Sequence, residues 1–189
     1  GRLMARLLVE TTGPGNYFKL RAVVVRKGAS DDDLLKRASL LRRDSVHGKF
    51  SGTIRVDADS DTLIVNGNPI KFIYASGPGS FKYSDFDIDR PIVIDNTGVW
   101  RDEADLSNHL ETGADKVVLT APAKGDIKNI VFGVNEGILD EKDQIISAAS
   151  CTTNAIVPVL KIMNDKYQIN SGHIETVSYT HLRAHETAR

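Results

Sequence analysis

The sequence predicts an α/β fold, a mostly parallel sheet carrying an antiparallel hairpin insertion, and three observations lead to it. Short apolar runs without in-out alternation recur along the chain and end in small or polar residues, as strands buried on both faces of a parallel sheet do. Helix-period segments lie between several of them, the alternation that crossover connections require. One stretch differs in kind: it alternates apolar and polar residues around Asp/Ser clusters and an Asn-Gly pair, a hairpin signature.

In chain order, "GRLMARLLVETTG" spaces Leu3, Leu7 and Leu8 for a helix that starts at the first residue. A helix opening there without an N-cap side chain leads us to expect a preceding segment. Ala22-Val23-Val24-Val25 before "RKG" reads as the first strand. "DLLKRASLLRR" places Leu34, Ala38 and Leu41 on one helical face, with Asp31-Asp32-Asp33 as N-cap and first turn. "TIRV", "TLIV" and "IKFIY", between Thr53 and Tyr74, form the hairpin insertion, with Asn66-Gly67-Asn68 as one of its turns. Ile92-Val93-Ile94 before "DNTG" and Val117-Val118-Leu119 before "TAPA" are further parallel strands, as are Ile130-Val131-Phe132 before "GVN" and Ile145-Ile146 before "SAASCTTN". "RDEADLSNHLETG" is a helix ending at Gly113, and "TGPGN" and "SGPGS" are turns.

Composition narrows the class. The 189 residues are 41% hydrophobic and 26% charged, with a formal charge of −1, which gives no electrostatic reason to expect nucleic acid or membrane partners. One cysteine cannot form an internal disulfide, so a reducing compartment and a cytoplasmic location are expected. No apolar run reaches the roughly 20 residues of a membrane span.

The lone cysteine has an informative address. "IISAASCTTNAIVP" reads as a buried strand, a tight turn and a helix start, with Cys151 facing the positive end of the helix. A helix N-terminus favours thiolate over thiol, so the position suits a nucleophile. In open parallel sheets ligands bind beyond the carboxyl ends of the strands, where "RKG", "DNTG", "TAPA" and "SCTTN" would line one crevice.

These residues resemble the phosphorylating glyceraldehyde-3-phosphate dehydrogenases. The resemblance rests on "IDNTGVWRDEADLSNHLETGADKVVLTAPAKGDIKNIVFGVNEG" and "IISAASCTTNAIVPVLKIMND", supported by "LLRRDSVHGKF" and the opening "GRLMARLLVE". It runs from Gly1 to about Val177 and implies a Rossmann-like domain over 1–149, the start of a catalytic domain over 150–177, and a non-family tail over 178–189. The chain is thus expected to be truncated at both ends. By this resemblance the Cys151 thiolate attacks an aldehyde to give a hemithioacetal. Hydride then passes to a nicotinamide, and phosphate releases the resulting thioester as an acyl phosphate. Ser150, Thr152 and the helix N–H groups would hold phosphate, while Asn154 ties the turn together. Thr97, Gly98 and Thr120 match strand-end contacts to the cofactor, and Gly1 matches the last glycine of the dinucleotide fingerprint. The implied reactants are a phosphorylated aldose aldehyde, inorganic phosphate and NAD or NADP; the implied parent is a homotetramer, an assembly the fragment is not expected to form.

Three departures shape the expectation. The first strand and most of the glycine loop are absent before Gly1. The strand at 22–25 ends in Arg26 and Lys27 instead of an acidic ribose acceptor, which suits the 2′-phosphate of NADP or use of both cofactors; the acidic run at 31–33 stands too late in the sequence. Ser76 replaces an arginine often found near the adenine. Finally, the family's Thr-Val-His-Ser-Tyr-Thr becomes Thr176-Val177-Ser178-Tyr179-Thr180-His181, so the general-base histidine is missing and Thr180 fits a phosphate-binding threonine only if a deletion is allowed. His47 reads as structural, and His109 and His173 as solvent-exposed. The competing expectation is a non-catalytic fragment with weak nucleotide binding. Erythrose-4-phosphate oxidation is a variant of the enzyme reading, and an aspartate-semialdehyde-type dehydrogenase a more distant one.

Overall fold

The computed structural model describes residues 1–11, 18–28 and 32–176. The chain divides into two compact units, Gly1–Gly77 and Pro78–Ser178. It is a mixed α/β protein whose inter-strand pairings combine parallel strands with one antiparallel insertion.

In the first unit, helix α1 (Arg2–Glu10) precedes strand β1 (Ala22–Val25), and helix α2 (Asp33–Arg42) follows it. A two-residue hairpin, β2 (Arg43–Asp44) and β3 (Gly48–Lys49), leads into β4 (Ile54–Asp57), β5 (Thr62–Val65) and β6 (Asn68–Tyr74). The sheet order is β1-β6-β5-β4: β1 lies parallel to β6, with Val25 opposite Tyr74, and the other pairings are antiparallel. The expected hairpin insertion is therefore present, and its β5–β6 turn uses positive φ at both Asn66 (49°) and Gly67 (80°). Two left-handed residues in succession match the right-handed strand twist, which is why Asn-Gly occurs there. Leu34, Ala38 and Leu41 of α2 are buried together with Val9, Phe50, Leu63, Val65, Ile70 and Phe72.

Helix α1 forms where its leucines suggested, but its buried residues are Arg6 and Val9; Leu3 and Leu7 are exposed. Arg6 Nη1 donates to the Gly48 carbonyl at 2.9 Å, Nη2 lies 3.3 Å from both the Lys49 carbonyl and Glu10 Oε1, and the guanidinium stands 5.8 Å from the Phe50 ring centroid. A planar cation with five donors can satisfy hairpin carbonyls that leucine could not.

In the second unit, a 3-10 turn (Tyr83–Phe86) precedes β7 (Ile92–Asp95) and α3 (Glu103–Glu111). Then come β8 (Lys116–Leu119), a second 3-10 turn (Glu136–Ile138), β9 (Ile145–Ser147) and the long helix α4 (Cys151–Tyr167). The sheet order is β7-β8-β9, all parallel. Leu106, Val117, Leu119 and Ile127 form its core, with Trp100 packed against them. Gly113 follows α3 with φ +110°, as its expected role beyond the helix end requires.

One expected strand does not form. Ile130-Val131-Phe132 makes no ladder: Ser147 N donates to Lys128 O and Ile130 N to Ser147 O, a single parallel bridge centred on Asn129. Asn135 Oδ1 then accepts from Val131 N at 2.7 Å and turns the chain, leaving Phe132 86% exposed. Residues 171–176 carry no regular structure either. None of the residues of α4 is buried; Val159, Ile162 and Tyr167 are exposed.

Candidate active site: strand ends and the Cys151 turn

Register fixes which loops meet. Asp95 pairs with Leu119 and Leu119 with Ser147, so the segments after β7, β8 and β9 leave the sheet from one edge. Those segments are Asn96-Thr97-Gly98, Thr120-Ala121-Pro122 and Ala148-Ala149-Ser150-Cys151. Thr97, Gly98, Thr120, Ser150, Cys151 and Thr152 are thereby gathered in one unit at the carboxyl edge of a parallel sheet, where such folds bind ligands.

Cys151 is the exposed first residue of α4. Ser150 is the N-cap: its Oγ accepts from Thr153 N at 2.9 Å and shares a hydrogen bond of 2.7 Å with Thr153 Oγ1. Asn154 Nδ2 donates to the carbonyls of Ala148 (2.7 Å) and Ser150 (2.8 Å), closing the turn around the thiol. Ala149, just before the cap, has φ +59°. A residue with a Cβ is disfavoured there by roughly 1–2 kcal/mol, so its neighbours must hold the turn. Ser147 is one of them: its fully buried Oγ accepts from Ala149 N at 3.0 Å and faces Ala121 O at 2.7 Å and Asn129 Oδ1 at 2.9 Å. Sequence reasoning overlooked Ser147 and Asn129; a serine ending an apolar strand was their one visible trace.

The loops after β7 and β8 are tied to each other. Thr120 N donates to the Asp95 carbonyl at 2.9 Å, and Thr120 Oγ1 lies 3.1 Å from the same oxygen. Arg101 Nε donates to Pro122 O at 2.8 Å. Asp95 Oδ1 accepts from both Thr97 N and Thr97 Oγ1 at 2.7 Å, and Val99 N donates to Thr97 Oγ1 at 3.2 Å. The two threonines thus use their hydroxyl protons within the protein and offer a ligand lone pairs. Gly98 has φ +65°, and a Cβ there would meet only Ala121 Cβ, at 4.0 Å. That open main chain fits the close approach of a planar ligand such as a nicotinamide.

His109, expected in solvent, is 7% exposed. Its Nδ1 lies 3.1 Å from Tyr83 Oη and its Nε2 3.5 Å from Asp95 Oδ2, so partners from distant segments account for its burial. His173 stands in solvent beside Glu175, as expected; His47, read as structural, is exposed too, with Nδ1 3.0 Å from Asp44 Oδ1.

In the first unit, Arg26 and Lys27 follow β1 and are exposed, and Gly1 is the N-cap of α1. Asp33 of the acidic run lies beside Gly28, just beyond this strand end. A Cβ on Gly28 would lie 2.3 Å from Asp33 Oδ1, and Asp33 is gripped by Arg37, which also donates to the Arg26 carbonyl. Asp32 is the N-cap of α2 and Asp33 lies in its first turn, as expected. Thr180, His181 and the "TGPGN" turn lie outside the described residues. Among the described residues, no group of three or more His, Cys, Asp or Glu could hold a metal, and no helix is long and apolar enough to cross a membrane.

Known proteins resemble this chain over most of its length. Residues 1–103 match the family profile described as "Glyceraldehyde 3-phosphate dehydrogenase, NAD binding domain". A "Glyceraldehyde-3-phosphate dehydrogenase-like protein" of Pseudomonas aeruginosa is 59% identical over 95% of this chain and 39% of its own length. A "Glyceraldehyde-3-phosphate dehydrogenase" of Thermotoga maritima is 41% identical over 95% of this chain and 51% of its own length. One of Clostridium acetobutylicum is 36% identical over 94% and 49%. The chain spans between 39% and 51% of the length of these relatives. The profile covers more than half of the sequence; the chain belongs to the glyceraldehyde-3-phosphate dehydrogenase family.

Proposed function

We propose that this chain carries the nucleotide-binding domain (1–149) and the start of the catalytic domain (from 150) of a dehydrogenase. That enzyme oxidises glyceraldehyde 3-phosphate to the acyl phosphate through a thioester on Cys151. The observation that carries the reading is Cys151 itself, an exposed thiol at the start of a capped helix, beside strand-end loops suited to a cofactor. The Cys151 sulfur, exposed at the helix start, adds as thiolate to the aldehyde carbon. Main-chain N–H groups at the helix start can receive the oxyanion. Ser150 is engaged in capping, so holding phosphate falls to Thr152 and the helix N–H groups. A bound nicotinamide supplies the hydride acceptor, and Gly98 and Thr97 border its place. The exposed Arg26 and Lys27 favour the additional phosphate of NADP.

Because Cys151 is the sole thiol, its alkylation tests the reading directly. Iodoacetamide at pH 7 should modify Cys151 at least about tenfold faster than free cysteine, and bound cofactor should slow the reaction. A rate equal to free cysteine refutes the poised nucleophile.

A second reading, a fragment that binds without turning over, is favoured by one observation. The described histidines are each engaged elsewhere: His47 with Asp44, His109 with Tyr83 and Asp95, His173 with Glu175. With no unengaged histidine among the described residues to act as general base, the chain should turn over about 10²- to 10⁴-fold more slowly than an enzyme that has one.

A further inference from the structure

Beneath the Thr97 loop lies a buried polar cluster that the proposed chemistry does not use. Asp95 is 4% exposed and His109 7%; Tyr83, from the 3-10 turn, is 4% exposed. Asp95 Oδ1 is fully engaged by Thr97. Asp95 Oδ2 and His109 Nε2, both buried, make no hydrogen bond that meets strict geometry, and they face each other at 3.5 Å. A carboxylate only accepts, so the proton between them belongs on Nε2. Nδ1 is then an acceptor, and Tyr83 Oη is its donor at 3.1 Å. A buried anion with one oxygen unpaired is costly, so His109 is what makes an ionised Asp95 tolerable at this place.

We propose that His109 is a positioning residue for the cofactor loop: it holds the Asp95 carboxylate, Tyr83 fixes its tautomer, and Asp95 in turn fixes Thr97 and Gly98. The inference rests on the cofactor reading of that loop. Burial alone would push the Asp95 carboxyl up, yet it is held below its ordinary value by the nearby His109 ring and by hydrogen bonds from Thr97. The titratable groups facing it are His109 from α3 and Tyr83 from the 3-10 turn; on the β8 side Thr120 binds its main-chain carbonyl. Among the described residues, no other charged side chain is hydrogen-bonded or ion-paired to it.

The sign follows. Without His109 the dominant remaining influence is burial, so Asp95 takes up a proton at a higher pH than in the wild type. A protonated Asp95 accepts less strongly from Thr97, and the loop loosens. In a His109→Leu chain the loop should therefore be ordered at pH 8 and released by pH 6, while the wild type stays ordered at both. His109→Gln, whose amide can still donate to Oδ2, should behave like the wild type.

Two measurements on the full 189-residue chain test this. The first is amide exchange at Thr97, whose N–H donates to Asp95. Relative to wild type at the same pH, His109→Leu should lose at least about tenfold protection at pH 6 and little at pH 8. The second is titration with NADP and NAD, followed by emission of Trp100, the only tryptophan, over the same pH range. His109→Leu should bind several-fold more weakly at pH 6 than at pH 8, and His109→Gln should restore a flat profile. Equal losses at both pH values, or a Gln variant as impaired as the Leu variant, would overturn the proposal in favour of a packing role. Should His109→Leu fail to fold, Tyr83→Phe keeps His109 and removes only the donor to Nδ1. It should show the same pH-dependent loss in smaller measure, and a flat profile there is equally fatal. If the wild type binds neither nucleotide, the cofactor reading fails on its own; Thr97 exchange still decides whether His109 orders the loop.

Discussion

Replacing Ser147 by alanine removes one oxygen from the interior and nothing else, which makes the expected cost calculable. The hydroxyl is fully buried, accepts from Ala149 N, and has Ala121 O and Asn129 Oδ1 within 2.9 Å. A stranded buried donor or acceptor costs about 1–3 kcal/mol. The substitution strands the Ala149 N–H and one acceptor, so the sum is about 2–6 kcal/mol, a large share of a small unit's stability. Ala149 also holds a left-handed conformation that this bond helps to impose. Urea unfolding followed by Trp100, which packs on the core of the same unit, reads the effect locally. With an m-value of about 1–2 kcal/mol/M, the midpoint should fall by about 1–6 M. Ser107, whose hydroxyl only donates back to the Glu103 carbonyl on an exposed helix face, is the control; its alanine variant should stay within about 0.5 kcal/mol. A Ser147→Ala midpoint indistinguishable from that control would refute the reasoning. It would mean that the turn before Cys151 is held by other contacts.

Arg6 offers a test of geometry against charge. Arg6→Lys keeps the cation but loses the planar fork that reaches two carbonyls and Glu10, so it should destabilise the first unit nearly as much as Arg6→Met, by about 2–4 kcal/mol in thermal or urea unfolding. Asp44 accepts from the main chain and ring of His47 and from Val46 N, and pairs with Arg2; these bonds hold its carboxyl well below the ordinary range. Because the folded value is depressed, its contribution is present above the ordinary carboxylate range and is lost as pH falls below it. The stability difference between wild type and Asp44→Asn should be constant from pH 8 to 5 and shrink below about pH 4; a difference that grows in acid would contradict this. Reversing Arg26 and Lys27 to glutamate should weaken NADP binding at least about tenfold and leave NAD binding within about threefold, as measured by calorimetry.

Much of the scaffold was legible because its signals are local. The alternating strands around Asn66-Gly67, the buried face of α2 and the strand-turn-helix at Cys151 each follow from a few adjacent residues whose conformational preferences agree. The same locality explains the errors. Ile130-Val131-Phe132 has strand composition, but only Asn129 forms a bridge with Ser147, and Asn135 turns the chain at Val131. A strand is a relation between two segments, and composition reports one of them.

Polar burial was the least legible feature. His109 has polar neighbours in sequence, yet its partner Tyr83 lies 26 residues away, and Arg6 reaches carbonyls more than 40 residues distant. By itself the sequence determined the hairpin insertion, the buried face of α2 and the strand-turn-helix at Cys151, since each is written in contiguous motifs. Only the tertiary structure decided that Ser147 and Asn129 lock the cysteine turn, that Asp33 returns to Gly28, and that His109 underlies the Thr97 loop. The physical reason is that a buried polar group is stable only where a partner is delivered to it, and that delivery depends on how distant segments pack.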